Sequence, residues 1–161
     1  MNSIIIFCAQ YLFIAVLIGL VVAWLQLAKD KKVNFFLATI VAGVIAFVIS
    51  RIASKIYYDP RPFVTEHVKP LIKHAADNGF PSDHALLTGT LTAITYFYNK
   101  KVSYIMFLLT FIIGLSRVLA KVHSPLDIIG GWVFGVVGAI CGYLLIEWAS
   151  KKYLAKYISE K

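Results

Sequence analysis

The sequence predicts an all-α integral membrane protein, a bundle of about five transmembrane helices with its functional site at the outer membrane face. Three observations carry that prediction. Of the 161 residues, 60% are hydrophobic and only 15% are charged, too apolar for a soluble domain of this length. Apolar runs recur at the length needed to cross a bilayer. The basic residues behind the net charge of +8 fall between those runs, a membrane-topology pattern and not a nucleic-acid patch. The length suits one membrane-embedded domain, residues 1–161.

Residues 4–28 form the first apolar run. It lacks a basic leader and a small-residue cleavage site and exceeds the core of a signal peptide, so it reads as a retained span. Residues 34–57 form the second, and Pro60 and Pro62 stop it because proline cannot continue a helix. Residues 60–81 are a long polar connection with Pro60, Pro62 and Pro70, and a connection of that length is usually functional or disordered. The third helix covers residues 83–98, roughly 24 Å at 1.5 Å per residue, which puts its start near headgroup depth. Residues 102–120 give the fourth helix and 125–149 the fifth, followed by a basic amphipathic tail. Gly131-x-x-x-Gly135 and Gly138-x-x-x-Gly142 predict close helix packing along the fifth. Cys8 and Cys141 lie inside apolar runs with no metal or redox spacing.

Lysine placement sets the expected orientation. Lys29, Lys31 and Lys32, then Lys100 and Lys101, then Lys151, Lys152, Lys156 and Lys161 share one side of a five-span chain, the cytoplasmic one. The C-terminus is then cytoplasmic and the N-terminus faces outward. Three polar islands fall together on the outer side, and ionisable groups at the edge of apolar segments are functional candidates.

The island Ser116-Arg117-x5-His123-x3-Asp127 spans the joint between the fourth and fifth helices. A neutral imidazole can attack phosphorus, an aspartate four residues on can hold its other ring nitrogen, and a guanidinium fork matches phosphate oxygens. Ser124-Pro125-Leu126-Asp127 is equally a good helix start, with serine as N-cap and an acid at the third position, so Asp127 is open to either role. In Pro81-Ser82-Asp83-His84, Ser82 is a natural N-cap whose following N–H groups make an anion site, and His84 beside it could exchange a proton. Asp83 is unfavourable beside a phosphate unless it points away or pairs with a cation. In the remaining island Lys55 and Arg61, the latter fixed between two prolines, could clamp phosphate oxygens; the alternative is basic side chains reaching to the interface. Lys69, Lys73 and His74 add positive potential in the 60–81 connection, enough for a second phosphate, or simply a solvated charge cluster. The histidines His67, His74, His84 and His123 lack the spacing of a helical zinc motif, and no metal or cofactor is expected.

In this order the islands resemble the type 2 phosphatidic acid phosphatase superfamily of integral-membrane phosphatases. Ser-Arg-x5-His-x3-Asp matches that family's pattern in full, Pro-Ser-Asp-His stands where the family has Pro-Ser-Gly-His, and Lys-x5-Arg-Pro stands where it has Lys-x6-Arg-Pro. The resemblance implies that His123 is a nucleophile forming phosphohistidine, Asp127 its orienting partner and His84 the general acid and then base. It implies Arg61, Arg117, Ser82 and Lys55 as phosphate ligands, with Arg51 a possible substitute for Lys55. The family commonly has six spans, so a count of five implies an absent or reduced N-terminal segment. The stretch from Tyr57 to His84, with its Pro-Arg-Pro-Phe corner, His-Ala-Ala-Asp run and Pro-Ser-Asp-His, is similar to a branch of small bacterial undecaprenyl-diphosphate phosphatases associated with bacitracin resistance.

That branch implies hydrolysis of undecaprenyl diphosphate to undecaprenyl phosphate at the outer leaflet of a bacterial plasma membrane, recycling a cell-wall lipid carrier. A phosphatidylglycerophosphate or phosphatidate phosphatase uses the same islands. A lipid-phosphate carrier or flippase, or a membrane scaffold, is the alternative of another class. The expected partners are a polyprenyl diphosphate and membrane lipids, with no nucleic acid and the oligomeric state open.

Overall fold

A computed structural model describes residues 2–159. Among them the chain is helical apart from its connections and one isolated bridge between Pro60 and Asn78. The helices are α1 (Asn2–Gln10), α2 (Phe13–Gln26), α3 (Lys29–Ile56), α4 (Pro62–Thr65), α5 (Asp83–Tyr98), α6 (Lys100–Leu119) and α7 (Pro125–Ser159). Three of them, α3, α6 and α7 through Lys152, are long and apolar enough to cross a membrane, and the bent pair α1 and α2 makes a fourth candidate. The fifth rod, α5, has 16 residues and falls short of that length, but it runs buried through the middle of the bundle. The protein is a multi-pass membrane protein.

The first expected span is not one helix. It breaks after Gln10 and bends by 45°. Around the break the ladder tightens, with Ile14 N–H donating to Tyr11 O and Ala15 N–H to Leu12 O, each at 3.0 Å. The two pieces bury against different neighbours. Ala9 of α1 packs on Ile72, Ala120 and Val122, whereas Val16 of α2 packs on Leu91, Met106 and Ile113. A straight rod could not reach both. At the other end of the chain, α7 continues past residue 149 to Ser159, because nothing there breaks a helix. Lys161 lies outside the described residues, as do the side chains beyond Lys152.

The glycines of α7 let it lie directly on its neighbours. A Cβ on Gly135 would sit 2.6 Å from Thr90 N in α5, and one on Gly138 would sit 2.6 Å from Ala42 O in α3. Polar side chains join α5 to α6: Thr92 and Thr110 hydroxyls are 2.9 Å apart and Ser103 Oγ donates to Thr92 O at 2.9 Å. Threonines of α5 also bond to carbonyls of their own helix, as Thr88 and Thr95 do at 2.7 Å, so these hydroxyls are satisfied within an apolar setting.

The two ends of the bundle differ in chemistry. One end collects the α2–α3, α5–α6 and distal α7 lysines. There Lys32 lies over the Trp24 ring at 4.6 Å, Lys100 over Tyr96 at 5.3 Å and Lys152 over Trp148 at 5.0 Å, an arrangement suited to a membrane interface. The other end gathers the last turns of α3 and α6 with the first turns of α5 and α7. Sequence islands about 70 residues apart meet there because consecutive helices run antiparallel.

Because α7 touches backbone at Gly138, Gly138→Val should lower the thermal stability of the detergent-solubilised protein by about 2 kcal/mol or more. Gly43 has nothing near the position of an added Cβ, so Gly43→Ala should leave the melting temperature unchanged or raise it. Thermal unfolding of both variants side by side checks the pair.

Candidate active site

Each residue of the site is placed by local backbone logic. Ser82 has extended backbone and its Oγ accepts from Ala85 N at 3.5 Å, so α5 begins at Asp83 and His84 stands in its first turn. Lys121 takes a left-handed conformation, φ 64°, just after α6 ends. That reversal turns Val122 and His123 back under the bundle end. At the start of α7, Asp127 N donates to Ser124 Oγ at 3.2 Å while Ser124 N donates to Asp127 Oδ2 at 2.8 Å, a reciprocal capping box. The same Oδ2 lies 3.1 Å from His123 Nδ1. One carboxylate oxygen thus caps α7 and lies within hydrogen-bond reach of the His123 ring.

Behind this pair the connection 60–81 is stitched to the α6–α7 turn. Phe63 N donates to Lys121 O at 3.0 Å and Leu71 N to Ala120 O at 3.1 Å, and Lys121 Nζ pairs with Glu66 at 2.7 Å. Asn78 ties the connection to α3: its Oδ1 accepts from Asp59 N and Phe80 N at 3.0 Å each, and its Nδ2 donates to Ser54 O and Tyr57 O. Gly79 packs so tightly here that a Cβ would lie 2.7 Å from Asp127 Oδ2.

Arg61 and Arg117 are both buried. Arg61 donates through Nη1 to Val122 O at 2.8 Å, through Nη2 to Asn78 O at 3.3 Å, and pairs through Nε with Asp77 at 2.7 Å. Arg117 donates through Nη1 to Ala9 O at 3.0 Å, a carbonyl at the end of α1 of the kind an interrupted helix leaves without a partner. Arg61 Nη1 is 3.2 Å, and Arg117 Nη2 3.4 Å, from His123 Nε2. With Nδ1 facing a carboxylate and Nε2 facing two guanidiniums, the assigned tautomer carries its proton on Nδ1 and leaves a lone pair on Nε2.

Burial first, then the Arg117 and Arg61 charges, hold the His123 imidazole far below the usual histidine pKa. His74, whose ring centroid is 5.9 Å from that of His123, is lowered by burial and by Arg61 and Arg117. Asp77 is lowered by its hydrogen bond from Arg61. A cavity of about 240 Å³ opens over this floor, lined by Arg61, Arg117, His74, His84 and His123 and by Arg51, Ser54, Asp77, Asn78, Phe80, Pro81 and Asp83. His84 also meets the Phe13 ring edge-on at 5.5 Å, so α2 helps to place it.

Of the sequence-derived candidates, His84, His123, Arg61, Arg117, Asp83 and His74 line one cavity, and Asp127 stands directly behind His123. Ser82 is fully buried in the cap and does not line the cavity. Lys55 and Lys73 are exposed and outside the lining. A six-residue spacer counted back from Arg61 lands on Ser54, which does line it, and Arg51 one turn earlier reaches it too. Asp83 pairs with Arg51 and so avoids facing a phosphate unpaired. Asp59 and Asn78 carry no sign of a role in the sequence, and Asp77 enters there only as the end of the His-Ala-Ala-Asp run. Asp77-Asn78-Gly79 before an aromatic and a proline was a turn signal that marked the place without naming the partners.

The family model described as the PAP2 superfamily matches residues 31–151. The chain belongs to the PAP2 superfamily. It is 32% identical over 153 residues to "Bacitracin transport permease protein BcrC" of Bacillus licheniformis, covering 94% of this chain and 73% of that protein. It is 31% identical over 149 residues to "Undecaprenyl-diphosphatase BcrC" of Bacillus subtilis, covering 92% and 75%. The crystal structure of LpxE from Aquifex aeolicus superposes with a TM-score of 0.68 at 24% identity, covering 88% of this chain and 86% of that one. A PAP2-type phosphatidylglycerolphosphate phosphatase from Bacillus subtilis superposes at 0.59 with 17% identity, covering 94% and 77%. These two establish a shared fold.

The electrostatics make a direct prediction. In a histidine NMR titration of the unliganded protein, His123 should stay neutral through the range where an ordinary histidine takes up its proton. Arg61→Gln removes one positive neighbour, so the His123 pKa should rise in that variant. An unshifted His123 in the parent protein would contradict the arrangement.

Proposed function

We propose that this chain is a membrane lipid-diphosphate phosphatase that cleaves undecaprenyl diphosphate to undecaprenyl phosphate and inorganic phosphate. The observation that carries this reading is His123 itself: Nδ1 lies 3.1 Å from the Asp127 carboxylate and Nε2 is flanked by two guanidiniums, surroundings that assign the proton to Nδ1. Membership of the PAP2 superfamily and the similarity to a protein named undecaprenyl-diphosphatase support it.

In the proposed mechanism the terminal phosphoryl group settles over the floor and its oxygens take N–H groups of Arg61 and Arg117. His123 Nε2 attacks phosphorus as the bond to the bridging oxygen breaks. The electron pair stays with the departing lipid monophosphate; the negative charge of the bound diphosphate lets His84 take up a proton from solvent, and His84 passes that proton to the departing oxygen. Asp127 stabilises the charge that develops on the His123 ring. Water then attacks the phosphohistidine, His84 recovers its proton from that water, the P–N bond breaks and phosphate leaves. The guanidiniums stabilise the charge of both transition states. The proposed chemistry uses no metal. The lysine-rich end of the bundle is the cytoplasmic one by the positive-inside rule, so the cavity faces outward, where a lipid carrier needs recycling.

One relative is named as a transport permease, which favours a second reading in which the site binds lipid phosphate and moves it without cleavage. The two are separable. Protein in detergent with chelator should release phosphate from undecaprenyl diphosphate, and His123→Ala should lose at least about a thousandfold in rate. A panel including phosphatidylglycerophosphate and phosphatidate tests the substrate. Lipid movement in liposomes that survives His123→Ala, with no phosphate released by the parent, would favour the carrier.

Asp127→Asn should keep α7 capped, since an amide oxygen still accepts from Ser124 N, yet lower kcat by about a hundredfold or more with a smaller change in KM. Steady-state kinetics on the same substrate reads the split.

A further inference from the structure

We infer that Arg51, held by Asp83, forms a second phosphate subsite at the lipid-facing rim of the cavity, one that binds the phosphate staying with the lipid and thereby selects diphosphates over monophosphates. The inference rests on the phosphatase reading of the His123 floor and adds to it a residue that determines specificity.

The floor is complete for one phosphoryl group, with two guanidiniums beside His123 Nε2. Arg51 belongs to a different wall. It lies in the last turns of α3, lines the cavity, and its side chain is 43% exposed, against the near-complete burial of Arg61 and Arg117. Its guanidinium carbon is 5.1 Å from the Phe47 ring centroid, and Phe47 is exposed on a membrane-spanning helix. Arg51 therefore stands between the lipid-facing surface and the cavity interior.

Its donors are only partly used. Nη2 donates to Asp83 and, at 3.3 Å, to Ser50 Oγ, while Nη1 makes no hydrogen bond among the described residues. An arginine carries five N–H donors, so capacity remains for an anion. The geometry of displacement says where that anion sits. Attacking nitrogen and leaving oxygen lie roughly in line through phosphorus, so the leaving phosphate is on the side away from His123, toward the rim.

Asp83 supplies the discrimination. Its side chain is 72% exposed and pairs with Arg51. A ligand gains from Arg51 only if it brings negative charge to the rim sufficient to compete with that carboxylate. A second phosphate does so. A single phosphate seated on the floor presents no charge there and leaves the ion pair intact. Specificity then arises as a difference between two affinities.

Titration calorimetry with methylenediphosphonate, a diphosphate analogue with no bridging oxygen to cleave, and with inorganic phosphate on the detergent-solubilised protein reads the subsite without turnover. Arg51→Ala should weaken diphosphonate binding about tenfold, the worth of a charge-assisted hydrogen bond, and change phosphate binding by less than about twofold. Arg51→Lys should recover part of the loss. Asp83→Asn should act the other way and tighten diphosphonate severalfold with phosphate unmoved, which keeps the test decisive even if an Arg51 variant unfolds. Equal losses for both ligands in Arg51→Ala, or no loss for either, would overturn the inference. Intact hydrolysis with an unchanged diphosphonate-to-phosphate ratio sinks this subsite alone, whereas intact discrimination without hydrolysis sinks the phosphatase reading alone.

Discussion

The structure turns on one carboxylate oxygen. Asp127 Oδ2 accepts from Ser124 N at 2.8 Å and faces His123 Nδ1 at 3.1 Å. The first bond starts α7; the second fixes the ring on which the proposed chemistry depends. Gly79 packs against the same oxygen, so the 60–81 connection is also registered to it. Because α7 then lies along α5 and α3 through glycines, the orientation of one imidazole is linked to the packing of the whole bundle. A helix cap that doubles as the histidine's partner leaves little freedom: moving the start of α7 by one residue would break both.

Around that bond the site accumulates positive charge at the edge of an apolar bundle. Burying guanidiniums is costly unless their donors are satisfied. Here main-chain carbonyls do much of that work: Val122 and Asn78 for Arg61, Ala9 for Arg117. Asp77 adds a carboxylate to Arg61 from the exposed side. The break between α1 and α2 belongs to the same economy of donors and acceptors, since a carbonyl at the end of α1 accepts from Arg117. What remains in the cavity is a neutral imidazole between two cations, an environment that favours an incoming anion without holding the histidine protonated.

Much of this was legible in sequence because it is local. The Ser82 cap, the His123 to Asp127 spacing and the reach of Arg61 from between two prolines each follow from a few consecutive residues. The gathering of these islands at one end followed from counting apolar runs. What escaped were contacts between segments far apart. Nothing near Asn78 tells that it bonds Ser54 and Tyr57, and nothing near Asp77 tells that it faces Arg61. The bend after Gln10 was hidden because apolar residues on both sides of it satisfy the same helical pattern. The lysine expected at position 55 points away, since one residue on a helix turns a side chain by about 100° and so moves it to another face. Ser54 and Arg51 hold the cavity side instead.

The central claim is that His123 carries the phosphoryl group, and the most direct measurement is to stop the reaction during turnover under alkaline conditions and map the labelled residue by mass spectrometry. The account predicts a base-stable, acid-labile phosphate on His123, present in the parent protein and absent when substrate is omitted. Turnover with no phosphate on His123, or with label on another residue, would contradict it.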